Sequence, residues 1–256
     1  MKRTTGKVHY VNLLTSRHSF LVAPIIGVPG ALALLIVWAN LEPKTCIAFF
    51  DAEGCSPFEL MTLPLFALII PLSWLCCPVG GGRWRRVGWS SLYSLLGVMA
   101  LVREQDWHKA VFARIWPDIA MNFKGTVFKM RFLRDGDIPF APKLFVVAFF
   151  LVFFAAVLIP LVRYFVPLFR DFRKLRPVAW TMACFGLSGV IVLVCDRLPS
   201  KLHKAGVVLS DSTSALFTAF EEGGEMMLAI FALLGILQSH LLFGMNEVLP
   251  SGAEGE

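Results

Sequence analysis

Apolar positions along the chain fall into long unbroken runs instead of alternating with polar ones. The first run goes from Phe20 to Asn40 and the second from about Glu59 to Val79. Later runs cover Trp89 to Val102, Leu144 to Tyr164, Val178 to Cys195 and about Ser214 to His240. A helix needs about 20 apolar residues to cross a bilayer, so the pattern predicts an all-α polytopic membrane helix bundle with about six transmembrane helices. The first run is too long for a signal-peptide core and has no clean small-residue cleavage site, which predicts an uncleaved span.

The spaces between the runs are short. GGGRWRR after the second run reads as a tight basic turn. It lacks the GK[ST] ending and the strand–helix context of a phosphate loop. Between the third and fourth runs the chain is mixed. Val111, Ile115 and Ile119 recur at helical spacing, followed by Lys124, Lys129, Arg131 and Arg134 among aromatic residues. This predicts an interfacial amphipathic segment, and its cations suit anionic lipid headgroups. The reading divides the chain into a basic N-terminal segment (1–19), a six-helix domain (20–240) and a disordered acidic tail (241–256).

Composition agrees. Over 256 residues, 57% are hydrophobic and 16% charged, against about 25% charged in an ordinary soluble domain. The net charge of +6 lies in clusters beside apolar runs. Membrane lipids are therefore the expected partners, and no nucleic acid is expected. Lys and Arg in the short loops favour the N-terminal side, which places the N-terminus in the cytoplasm; the basic Arg103 to Lys143 segment opposes that bias. Compactness and short loops suggest a multi-pass protein of a bacterial-type inner (plasma) membrane. Cys76, Cys77, Cys184 and Cys195 lie in or beside apolar runs as packing residues. Cys46 and Cys55 share a loop that permits a disulfide in an oxidising compartment.

With six spans, the end of the third, the end of the fifth and the start of the sixth share one membrane face. REQDWHK, Asp196–Arg197 and EEGGE are thereby brought together. Glu221 and Glu225 lie roughly 10 to 17 Å below the start of their helix, a depth at which ionised groups need partners, protons or water. The expected pocket holds Arg103, Glu104, Asp106, His108, Asp196, Arg197, Glu221, Glu222 and Glu225.

Three uses of that pocket follow. Glu104 and His108 stand one helical turn apart, and with Glu221 and Glu225 they offer hard oxygen and imidazole ligands to a divalent metal ion, the expected cofactor. Asp106 and Glu222 are then the candidate catalytic acids or bases of a metal-assisted enzyme acting on a lipid or lipid-linked substrate. A proton- or cation-coupled transporter or channel is the second use, with Gly223 and Gly224 loosening the helix beside the acids. The third is structural, with Arg103 and Arg197 pairing the acids.

Other residues draw simpler readings. Trp38, Trp89, Trp107 and Trp116 fit an aromatic belt. Ser90, Ser91 and Ser94 have no base near their level of the bundle. Acids and a His near one face are similar to the sites of membrane zinc hydrolases of the ceramidase type, but none of the five histidines forms the HxxxH pair of those proteins.

Overall fold

The structure is a computed structural model and describes residues 14, 16, 18–51, 56–76, 83–105, 107–122 and 130–248. Among these there is no strand. After a single 3₁₀ turn (Ser19–Leu21) the helices are α1 (Val22–Asn40), α2 (Pro43–Phe50), α3 (Pro57–Leu75), α4 (Arg83–Glu104), α5 (Trp107–Ile115), α6 (Pro117–Asn122), α7 (Met130–Arg134), α8 (Phe140–Arg173), α9 (Pro177–Lys204) and α10 (Asp211–Val248).

Four segments are long and apolar enough to cross a membrane: Ser19–Asn40, Pro57–Leu75, Pro177–Lys204 and Asp211–Leu242. The third and fourth apolar runs fall within α4 and α8, and in α8 the shorter apolar stretch is Phe140–Ala155.

α10 is the axis of the bundle, with α1, α2, α3 and α9 packed around it. Its small residues make this approach close. Ala215 and Ala219, both fully buried, meet Cys46, Phe50 and Phe58. Further along, Ala229, Ala232 and Ile236 meet Phe66 and Ile69, while Phe231 and Leu234 meet Ala23. In lipid, helices associate through such close contact and interhelical hydrogen bonds, because hydrocarbon offers no hydrophobic drive.

α10 and α9 run antiparallel. Thr181 donates to Gln238 Oε1 at 2.7 Å at one end, and Gly224 lies against Val192 towards the other. A Cβ at Gly223 would stand 2.3 Å from Leu34 of α1, and one at Gly224 would stand 2.6 Å from Val192 of α9. The two glycines were expected to loosen the helix. Instead α10 is continuous through them, and they serve close packing on two sides.

α3 opens on a reciprocal cap. Ser56 Oγ accepts from the Glu59 backbone N–H at 3.0 Å, and Glu59 Oε2 accepts from the Ser56 N–H at 2.6 Å. α3 and α4 are then joined by hydroxyls. Ser90 Oγ donates to the Ser73 carbonyl at 2.7 Å, and Ser73 and Ser94 hydroxyls lie 2.9 Å apart. Ser90 and Ser94 thus bind helices together.

The sequence between Leu41 and Asp51, expected as a polar loop, contains α2. Pro43 occupies its first turn, where its missing N–H costs nothing. Cys46 is a free, fully buried thiol in α2, and burial pushes its pKa up; Cys55, its expected disulfide partner, lies outside the described residues.

The connection from α4 to α8 contains three short helices, α5, α6 and α7. Phe112 is fully buried against Phe132, Trp116 and Phe145, whereas Val111 and Ile115 point outward. α5 ends before Trp116–Pro117, so a single helical register through Val111, Ile115 and Ile119 is broken there. Trp116 packs inside this cluster, and Trp107 stands exposed at the start of α5.

Candidate functional carboxylate cluster

Three glutamates from three helices converge. Oxygens of Glu59 on α3, Glu104 at the end of α4 and Glu222 on α10 all lie within 4.8 Å of one another, each side chain half-buried. One oxygen of Glu59 is already fixed by its cap on the Ser56 N–H. Glu104 ends α4, whose approach to α3 is set by Gly97: a Cβ there would stand 3.2 Å from the Phe66 carbonyl oxygen. Glu222 is carried to the same level by the packing of α10 on α3 through Ala229, Ala232, Phe66 and Ile69.

Beside the triad, Arg103 forms an ion pair with Glu225. The Arg103 side chain is 52% exposed and that of Glu225 only 4%, so the pair has one foot in the bundle and one outside. Glu225 also interacts electrostatically with Glu104 and Glu222. Oε1 of Glu104 is buried without a hydrogen-bond partner among the described residues. An orphaned carboxylate oxygen facing two other carboxylates is a ligand position that a cation or a proton would satisfy.

Glu221 lies on the α9 side of α10, where it interacts electrostatically with Asp196, Glu225 and Arg103. Asp196 itself pairs with its exposed neighbour Arg197 at 2.8 Å. The acids therefore form a series from the Glu59–Glu104–Glu222 triad through Glu225 to Glu221 and Asp196.

Of the residues singled out from sequence, Glu104 and Glu222 enter the triad. Arg103 and Glu225 lie beside it, and Glu221, Asp196 and Arg197 continue from Glu225 on the α9 side. Asp106 and the His108 side chain lie outside the described residues, as do Lys124, Lys129 and the Arg131 side chain; Arg134 is exposed at the end of α7. Glu59 was missed. Its signal was present as Ser56-Pro57-Phe58-Glu59, a capping-box pattern ahead of an apolar run, and the start of the second span falls on the same membrane face as the other acids. Trp38 of α1 donating to the Ser212 carbonyl at 2.9 Å places the end of α1 on that face too.

The chemistry of this donor set is that of a hard cation: oxygens only, from separate rigid elements, with one arginine at the edge. No family model matches the chain, and neither a curated protein nor a solved structure matches it.

Proposed function

We propose that this is a multi-pass protein of the cell inner membrane that holds a divalent cation between Glu59, Glu104 and Glu222 and uses it as a Lewis acid on a lipid or lipid-linked substrate. In this reading α4 and α8 complete six spans, the α5–α7 segment lies at the interface, and the N-terminus is cytoplasmic. The observation that carries it is the meeting of three carboxylates within 4.8 Å. Three like charges so close repel strongly at low dielectric, and a divalent ion offsets that repulsion with direct bonds. Glu225 is held by Arg103 as a supporting charge, and Glu221, further along the acid series, is a candidate base or further ligand. Asp106 and His108 follow Glu104 closely in sequence and are candidates to complete the coordination. Arg134, with Lys124, Lys129 and Arg131, would meet an anionic headgroup.

A proton- or cation-coupled transport role is the second reading. It is favoured by the acid series from Glu104 through Glu225 and Glu221 to Asp196, since chained acids are the usual parts of intramembrane proton paths. Metal analysis of the purified full chain separates these from a purely structural cluster. The cation reading expects about one bound Mg²⁺, Mn²⁺ or Ca²⁺ per chain, lost in the Glu104→Gln plus Glu222→Gln variant. No bound divalent ion at any pH between 6 and 8 overturns it. In proteoliposomes, a proton flux that the same variant abolishes, without any bound divalent ion, would establish the transport reading.

A further inference from the structure

The end of the bundle opposite the carboxylates is basic. Within the turn from α8 to α9, Arg170, Arg173, Lys174 and Arg176 are all exposed, and Asp171 is the single acid. Asp171 is engaged by Arg176 at 3.4 Å and approached by Arg170 at 4.0 Å. Arg173 and Lys174 have no ion-pair partner among the described residues.

The turn is rigid. The Arg176 N–H donates to the Asp171 carbonyl at 3.0 Å and the Leu175 N–H to the Phe172 carbonyl at 3.0 Å, with Leu175 left-handed at φ 56°. This is the hydrogen-bonding pattern that closes a helix end. Phe172 stacks on Trp180 with ring centroids 4.5 Å apart, and Trp180 Nε1 donates to the Phe172 carbonyl at 3.1 Å. The two helix ends are thus joined through Phe172 and Trp180.

One helical turn before Arg173 along α8, where Phe169 shares its face, lies a cleft of about 240 Å³ lined by Leu168, Phe169, Phe172, Ala179 and Ala183. Its lining lies in the last turns of α8 and the first two turns of α9, roughly 3 to 9 Å along α9 from its first residue. Because Pro177 begins a membrane-spanning helix, the cleft opens at a bilayer face. Small residues on α9 facing large ones on α8 create it: Ala179 and Ala183 leave the room that Phe169 and Phe172 border.

We propose that this cleft binds an anionic phospholipid, with the phosphate on Arg173 and Lys174 and one acyl chain along Leu168, Phe169 and Ala183. Charge and shape agree on this occupant. Unpaired cations at the headgroup level select a negative headgroup, and a purely apolar cleft one helical turn away selects hydrocarbon. Zwitterionic lipids satisfy only the second half. A topogenic role for basic loops accounts for the charges but not for a cleft beside them.

The test is lipid retention by the full chain in detergent, counted by native mass spectrometry after addition of phosphatidylglycerol or phosphatidylcholine of identical chains. Wild type is expected to retain phosphatidylglycerol at least tenfold more strongly. Arg173→Gln plus Lys174→Gln should weaken that lipid by about 25-fold, from roughly fivefold per charge, and leave phosphatidylcholine unchanged. Ala183→Phe, at an exposed position, should weaken both lipids by filling the cleft. Lys201→Gln plus Lys204→Gln, at the far end of α9, should change neither. Equal retention of the two lipids by wild type overturns the proposal, as does equal loss in the two charge variants. Glycerol phosphate at millimolar concentration displacing the lipid fully would show a phosphate site without an acyl site, and would also overturn it.

Discussion

The two ends of the bundle handle charge in opposite ways. At one end Glu59, Glu104, Glu222 and Glu225 are drawn into the protein, Glu59 in a helix cap, Glu225 against Arg103, and Glu104 and Glu222 close to Glu59. At the other, Arg173 and Lys174 stand outside it, free of partners among the described residues and set beside an apolar cleft. The levels are linked by α9, on which Asp196 and Thr181 are separated by roughly 22 Å of helix rise. Buried charge has large energetic consequences and exposed charge has small ones, so the two ends should answer mutation very differently.

The largest effect is expected at Arg103. Removing it by Arg103→Gln leaves Glu225 as a buried, uncompensated carboxylate, and stability at neutral pH should fall by about 3 kcal/mol, measured by thermal unfolding in detergent. Adding Glu225→Gln should restore most of it, because the orphaned charge is then gone. The equivalent exposed change, Lys174→Gln, should alter stability by less than about 0.5 kcal/mol while removing lipid preference. If the two single variants are equally stable, the contrast between the ends fails.

Gly224→Ala comes next. The added methyl meets Val192 and should cost about 1 to 3 kcal/mol through overpacking, with Gly223→Ala similar against Leu34 and Gly186→Ala, where nothing lies within 4 Å, near neutral or stabilising. This series checks whether the glycines serve packing or flexibility: a flexible hinge would make all alanine changes slow a function without destabilising the bundle.

Thr181→Val removes the donor to Gln238 inside the bundle. Interhelical hydrogen bonds in membranes average about 0.6 kcal/mol and reach about 1.7, and Gln238, whose Nε2 is already without a partner among the described residues, should place this pair at the upper part of that range. Smallest is Leu175→Gly. Relief of the left-handed conformation should raise stability by roughly 1 kcal/mol or less, a gain that calorimetry of the purified chain would register.

Much of this architecture was legible in the sequence because apolar runs and membrane parity are coarse and robust. Parity alone put the acids of REQDWHK and EEGGE on one face, and Glu104 and Glu222 do meet. What escaped was local. Glu59 looked like the first polar residue of a span, although its cap with Ser56 is written in the sequence, because a cap aims a side chain and periodicity does not. α2 escaped because two cysteines flanking a short stretch suggested a bridged loop, while burial of Cys46 and Phe50 against Ala215 and Ala219 favours a helix. The inward face of α5 escaped because it is set by tertiary packing: Phe112 is buried against Phe132 and Phe145 while Val111 is exposed. The apolar cleft beside the basic turn required coordinates: no pattern announces that Ala179 and Ala183 face Phe169 and Phe172 across two helices.

Proton competition gives the carboxylate end a direction with pH. A cation site made of glutamates requires them deprotonated, so affinity must fall as pH falls. The most direct measurement is a Mn²⁺ titration of the full chain followed by electron paramagnetic resonance, comparing wild type with Glu59→Gln. Glutamine preserves the cap on Ser56 but not the charge, so the helix start is retained. The account predicts about one Mn²⁺ bound per wild-type chain, more weakly at acid pH, and at least a tenfold weaker site in Glu59→Gln. Binding that is unchanged in Glu59→Gln, or no Mn²⁺ bound to wild type at neutral pH, would contradict a cation held between α3, α4 and α10.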